Sequence, residues 1–304
     1  MKTKWTVHDI PDLTWKKIIV TGGNSGLGFE SVKAFAAKGA EVILASKSKE
    51  RGDAAKKIIL SDQPNSKIKV MTLDLADLKS IHEFITSYKE QYKRLDVLLN
   101  NAGVMMTPYS KTKDGFEMQL GINYLGHFAL TGLLLDVLKK TTKSRVVNIS
   151  SSAHRYGKMD FNNLMYEKGG YSPMRAYGRS KLANLLFTYE LQRRFERAGM
   201  NYISVAAHPG LANTNLGRYL NKIVSKILFT LLRAQSAAMG ALPGIRAAVN
   251  PNVTGGQYFG PSGFMEQRGY PITIKSNNAS HNEADARQLW DVSEQLTSVR
   301  FITS

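Results

Sequence analysis

Ile18-Ile19-Val20-Thr21-Gly22-Gly23-Asn24-Ser25-Gly26-Leu27-Gly28 is the stretch that decides the fold. A β-branched run ends at Thr21, and glycines follow at 22, 26 and 28. An amphipathic stretch then reads as a helix over 26–38, closed by Gly39. Strand, glycine turn and helix together open a βαβ unit. The glycines permit a tight turn and close backbone approach to a ligand. The helix that starts near Gly26 aims its free N–H groups at an anion. The spacing is G-x-x-x-G-x-G rather than G-x-G-x-x-G, but the physics of a dinucleotide turn is the same. A P-loop is excluded by that spacing and by the lack of Gly-Lys-Ser/Thr.

Working outward, the same alternation continues. Strands are expected at 41–45, 68–73, 95–99, 145–149, 201–206 and 256–259. Helices are expected at 49–60, 78–88, 116–139 with a break near Gly121, 173–197 and 283–296. Ser172 with Pro173 behind it is a helix start. Alternating strands and helices predict an α/β fold, a doubly wound, mostly parallel sheet of about seven strands with helices on both faces. Polar clusters follow the strands at 21–28, Ser46-Lys47, Asp74-Leu75, Asn101-Ala102-Gly103, 150–152 and 208–210. Parallel sheets bind ligands at the carboxyl ends of their strands, so six such clusters mark one ligand edge. The second strand ends Ala45-Ser46-Lys47-Ser48-Lys49 with no acid to hold a ribose 2′-hydroxyl. A hydroxyl and ammonium groups suit a 2′-phosphate, which favours NADP(H) over NAD(H).

Tyr177 and Lys181 sit four residues apart on the 173–197 helix and so share a face. An ammonium beside a phenol favours the phenolate and is expected to lower the Tyr177 pKa toward neutrality. Asn148-Ile149-Ser150-Ser151-Ser152 ends a strand on the same sheet edge, where a hydroxyl can orient a substrate carbonyl.

Taken together, these segments resemble the short-chain dehydrogenase/reductase family, in the group of retinol dehydrogenases and protochlorophyllide reductases. The resemblance rests on 21–28, Asp74-Leu75, Asn100-Asn101-Ala102-Gly103, Asn148-Ile149-Ser150-Ser151, Tyr177-Gly178-Arg179-Ser180-Lys181 and His208-Pro209-Gly210, in the family's order and over about residues 14–260. It implies a Rossmann-like fold and a catalytic set of Ser151, Tyr177, Lys181 and Asn123, the last holding a water in a proton relay. Implied cofactor contacts are Gly22, Asn24, Ser25, Gly26, Leu27, Gly28, Ser46, Lys47, Asp74, Leu75, Asn101, Ala102, Gly103, Tyr177, Lys181, Pro209, Gly210, Leu211 and Thr214. The Ser151–Tyr177 interval is longer than the commonest family spacing. Its insertion includes His154, Arg155, Tyr156 and Tyr171. His208 and His154 read as structural turn residues, the latter without a partner that the sequence names. Light-driven protochlorophyllide reductases carry cysteines near their pigment, and this chain has none.

The 304 residues fit a single nucleotide-binding domain. Its expected parts are a core at 14–210, a substrate lid at 211–250 and a C-terminal extension at 251–304. No cysteine means no disulfide, thiolate metal site or cysteine nucleophile, and it suits a cytoplasmic setting. No apolar run is long enough to span a membrane. The net charge of +17 comes from dispersed lysines, without the aromatic interleaving of a nucleic-acid surface. Within 213–235, Tyr219, Ile223, Ile227, Leu228, Leu231 and Leu232 recur at helical spacing among Lys222, Lys226 and Arg233. This predicts an apolar lid over an apolar carbonyl or alcohol substrate, with peripheral membrane contact as the rival use. The resemblance also implies a homodimer or homotetramer. The competing classes are a catalytically silent NADP-binding sensor and a protein recruited to anionic membrane or nucleic acid by its charge.

Overall fold

The computed structural model describes residues 4–212 and 234–301. Eight strands form one sheet: β1 (Lys17–Thr21), β2 (Glu41–Ser46), β3 (Lys67–Thr72), β4 (Val97–Asn100), β5 (Arg145–Ile149), β6 (Ile203–Ala207), β7 (Tyr258–Pro261) and β8 (Pro271–Ile274). The spatial order is β3-β2-β1-β4-β5-β6-β7-β8. All neighbouring pairs are parallel except β7 with β8. The chain leaves β1 toward β2 on one side and returns to β4 on the other, which creates the topological switch point where such sheets bind nucleotides.

The helices are α1 (Gly26–Ala36), α2 (Lys49–Asp62), α3 (Leu78–Gln91), α4 (Met118–Leu120), α5 (Gly126–Leu133), α6 (Leu135–Lys139), α7 (Pro173–Arg197), α8 (Ala237–Val249) and α9 (Glu283–Thr297). Strand β1 shows how they cover both faces. Ile18 and Val20 join a cluster with Val32 and Phe35 of α1 and Ile245 of α8. Ile19, pointing the other way, joins Phe84 of α3, Phe128 of α5, Leu186 of α7 and Trp290 of α9. All three strand residues are fully buried, as expected of a sheet covered on both sides.

The expected break near Gly121 in the 116–139 helix is a π-helical turn at Gly121–Leu125, where Gly126 N–H reaches back to Gly121. Two strands depart from the expected layout. The eighth strand pairs antiparallel to β7 through a hairpin whose loop is closed by Ser262 N–H to Tyr270 and Gly263 N–H to Arg268. Its short sequence Pro-Ile-Thr-Ile carries too little alternation to stand out alone. The expected seventh strand at 256–259 is shifted to Tyr258–Pro261.

Candidate active site

The glycine turn is built as its sequence suggests. Gly22 adopts φ +65°, and at Gly28 a Cβ would lie 2.3 Å from the Gly22 carbonyl oxygen, so only glycine fits there. Ser25 precedes α1 but its side chain makes no capping hydrogen bond. The first-turn amides of α1 are therefore not taken by a side-chain cap, and this arrangement fits a pyrophosphate. Asn24 and Leu27 are part-buried beside it and Ser25 is exposed.

Across the switch point, the segment after β4 is tied to β1. Asn101 Nδ2 donates to the Thr21 carbonyl at 2.8 Å, and the Asn101 and Ala102 amides both donate to Thr21 Oγ1 at 2.9 Å. Gly103 lies beside α7: a Cβ there would be 3.6 Å from Lys181 Nζ. At the end of β2 the Ser46 hydroxyl is buried and donates to Ser48 O at 2.9 Å. This differs from the expectation that Ser46 offers its hydroxyl to a ligand. Lys47 is left as the exposed group there, paired with Asp74 at 2.8 Å. Asp74 also accepts from Ala76 N, which holds the turn after β3, and neighbouring Leu75 is buried.

Helix α7 carries Tyr177 and Lys181, both buried. Of the three serines after β5, Ser150 donates inward to Lys181 O at 2.9 Å, and Ser152 is exposed. Ser151 takes an Ala153 amide at 3.2 Å, and its hydroxyl acts on the Tyr177 phenol against the effect of burial. Lys181 Nζ stands 5.7 Å from the centre of the Tyr177 ring and donates to Ile149 O at 2.9 Å. Burial pushes the Tyr177 phenol up to about 12, opposed by the Ser151 hydroxyl. The same burial pulls the Lys181 ammonium down to about 8. For Tyr177 this reverses the sign expected from the four-residue spacing: removal from water dominates.

Asn123 lies in the π-helical turn and is fully buried. Its Oδ1 accepts from Val104 N at 2.8 Å, while its Nδ2 donates to Val104 O and to Ser180 Oγ, each at 2.9 Å. The amide thus cross-ties the segment after β4 to α7. Gly210 adopts φ +67° in the turn after β6. Pro209 O accepts from Gln235 Nε2 at 2.6 Å, and Leu211 N–H donates to Gln267 O. Thr214 and residues 213–233 of the expected lid lie outside the described residues.

Several residues escape the sequence reading. Glu266, in the β7–β8 loop, accepts from Arg155 Nη2 on both carboxylate oxygens at 3.0 Å and lies 3.2 Å from His208 Nε2. Gly210 N–H donates to His208 Nδ1 at 3.2 Å, which leaves Nε2 on the side of Glu266. His208 and Arg155 together hold the Glu266 carboxyl below its usual range. His154 also has partners: Nδ1 lies 2.6 Å from Ser151 O, and Nε2 accepts from Asn277 N at 3.4 Å. Burial pulls its pKa down to about 4, so it is neutral. Arg179, between Tyr177 and Lys181, donates to the carbonyls of Lys158, Asn163 and Leu164 and pins the insertion to α7. No spacing rule reveals an Arg155–Glu266 pair 111 residues apart.

A family model described as short chain dehydrogenase matches residues 16–224. Human retinol dehydrogenase 11 is 41% identical over 286 residues, covering 93% of this chain and 86% of that protein. Human retinol dehydrogenase 12 is 40% identical over 296 residues, covering 95% and 88%. The crystal structure of an uncharacterised protein from Mycobacterium Paratuberculosis superposes with a TM-score of 0.82 at 38% identity, covering 98% of this chain and 99% of that one. With its sheet order, glycine turn and Tyr177–Lys181 helix, the chain belongs to the short-chain dehydrogenase/reductase family, in the retinol dehydrogenase-like group, and is an oxidoreductase of alcohols and carbonyls.

Proposed function

We propose that the protein interconverts an apolar alcohol and its carbonyl with NADP(H), using Ser151, Tyr177, Lys181 and Asn123. The observation that carries this reading is the buried Tyr177 phenol, influenced by the Ser151 hydroxyl, with Lys181 Nζ 5.7 Å from its ring centre and close to Gly103. A nicotinamide, when bound, supplies hydride for reduction and takes it in oxidation. Tyr177 gives its proton to the substrate oxygen as the carbonyl is reduced and takes it back in the reverse direction. Ser151 holds that oxygen and stabilises the charge that develops on it. Lys181 places a cation beside Gly103, where cofactor and phenol meet. Asn123 holds the Gly103–Val104 backbone and α7 in register through its amide.

Lys47, without an acid at the end of β2, supports a 2′-phosphate partner. The related retinol dehydrogenases are named for an apolar polyene alcohol, which supports an apolar substrate here. A homo-oligomer in the cytoplasm is the setting we assign to it. The test is NADPH and NADH consumption with retinal, steroid ketones, quinones and aliphatic aldehydes. Tyr177→Phe serves as the control and is expected to lose turnover by a factor on the order of 10² or more. Near-normal turnover by that variant rejects the assignment.

A further inference from the structure

Among the described residues, His127 is a titratable side chain at the switch point to which the proposed chemistry gives no task. It projects from the first turn of α5 and is 2% exposed. Its Nε2 lies 2.9 Å from Thr21 Oγ1, at the start of the glycine turn. Its Nδ1 lies 3.1 Å from the main-chain oxygen of Asn123.

Counting donors fixes where the proton sits. Thr21 Oγ1 already accepts the amides of Asn101 and Ala102, each at 2.9 Å, the first of them shared with Leu99 O. A hydroxyl has two acceptor lone pairs and one hydrogen. That hydrogen has two possible destinations: Leu99 O at 3.4 Å or His127 Nε2 at 2.9 Å. Were Nε2 protonated, three donors would converge on one hydroxyl. A neutral ring would then also set a bare Nδ1 against the Asn123 oxygen, acceptor facing acceptor. With the proton on Nδ1, every group is satisfied: the Thr21 hydroxyl donates to Nε2, and Nδ1–H donates to Asn123 O. A doubly protonated ring is opposed by burial and by the Lys181 cation, and the His127 pKa is pulled down to about 4.

The connection spans two functional segments. On one side, Thr21 organises the glycine turn and the Asn101–Ala102 backbone. On the other, Asn123 spends its side chain on Val104 and on Ser180 of α7, and its main-chain oxygen on His127. We propose that His127 is a positioning residue, an Nδ1-protonated imidazole that joins the cofactor turn at Thr21 to the Asn123 segment behind the catalytic helix. It touches neither substrate nor cofactor and moves no proton. It sets the two halves of the site relative to each other. The assignment to catalysis rests on the proposed oxidoreductase reading, whereas the tautomer and the effect on cofactor affinity do not.

Two measurements decide it. Long-range proton–nitrogen NMR of the wild-type protein, with His127 assigned by the peak lost in His127→Gln, is expected to show a neutral ring protonated at Nδ1. A neutral ring protonated at Nε2 overturns the proposal. The second measurement compares His127→Leu with His127→Gln for NADPH dissociation constant, kcat, and pH–rate profile. Leucine leaves the Thr21 hydroxyl and the Asn123 oxygen without the ring, and is expected to weaken NADPH binding and lower kcat by about tenfold each. Glutamine can accept from Thr21 and donate to Asn123, and is expected to recover both to within about threefold with an unchanged pH profile. Normal affinity and turnover in the folded leucine variant, or a glutamine variant no better than it, overturns the proposal. So does loss of a pH limb in His127→Gln, which would mark an acid–base group. If His127→Leu does not fold, the wild-type tautomer and His127→Gln affinity decide alone. If no carbonyl is turned over by the wild type, the oxidoreductase reading fails, and the tautomer and NADPH affinity still decide the link.

Discussion

Burial sets the chemistry of Tyr177 and Lys181 more strongly than their mutual spacing does. A phenol pushed up to about 12 keeps its proton through the neutral range. It is therefore ready as an acid for carbonyl reduction and poorly ready as a base for alcohol oxidation. Reduction is expected to hold its rate from neutral into alkaline pH, while oxidation rises with pH as phenolate forms. Steady-state pH profiles in both directions check this, and an oxidation rate already flat at pH 7 contradicts it. Lys181 gives a stability prediction of opposite flavour. Its folded pKa of about 8 lies below the unfolded value near 10.4, so between these limits the unfolded chain binds more protons. Stability from this group consequently rises as pH rises through that window, and below pH 8 the buried ammonium is a full cost. Lys181→Met is expected to remove that cost at pH 7, a gain on the order of a few kcal/mol, because Ile149 O keeps Asn184 as a donor at 3.0 Å. The variant should unfold at higher denaturant and lose its activity. Equal or lower stability would show that the ammonium is better satisfied than its burial implies.

At the scale of elements, the ligand edge is assembled from strand ends whose loops hold one another. The end of β2 offers Lys47, and cofactor choice is argued there. Lys47→Glu is expected to raise KM for NADPH by tenfold or more while sparing NADH, since it replaces the cation with the acid that would face a ribose 2′-hydroxyl. Loss of both cofactors equally would mean that Lys47 serves the turn rather than the phosphate. The β7–β8 loop is held differently. Met265 and Glu266 both adopt left-handed backbone, φ 49° and 57°, a conformation that costs on the order of 1 kcal/mol or more at each non-glycine residue. Arg155 Nη2 and His208 beside Glu266 hold that shape against the insertion and the turn after β6. Glu266→Gln keeps an acceptor for His208 but loses the charge facing Arg155. We expect KM for the carbonyl substrate to rise several-fold with kcat nearly kept, as a loosened loop affects binding more than proton transfer. A large fall in kcat with unchanged KM would place Glu266 in the chemistry instead.

The whole molecule is held by two apolar layers, one on each face of the sheet. The far C-terminal segment belongs to this scaffold. Trp290 of α9 packs edge-on to Phe128 at 5.3 Å and to Phe301 at 4.5 Å between ring centres. Ser293 of the same helix bonds the Tyr124 hydroxyl, next to Asn123, at 2.7 Å. Trp290→Ala is expected to cost about 3–5 kcal/mol in denaturant unfolding. Because Tyr124 adjoins Asn123, some activity should be lost well below the melting transition. An effect under about 1 kcal/mol would mean that α9 is not part of the cooperative core.

The sequence by itself determined the βαβ order, the glycine turn, and the face shared by Tyr177 and Lys181. These depend on local periodicity, on glycine's lack of a Cβ, and on the pitch of a helix, which neighbours along the chain fully specify. A lone histidine in the apolar run Gly126-His127-Phe128-Ala129 was a signal that the chain carried and that periodicity could not interpret. Tertiary structure alone decided that Ser46 turns inward and that Glu266 joins Arg155 across 111 residues. It also decided the direction in which the Tyr177 and Lys181 pKa values move. Desolvation and hydrogen-bond satisfaction depend on everything packed around a group, and the distance between two residues along the chain carries almost none of that information.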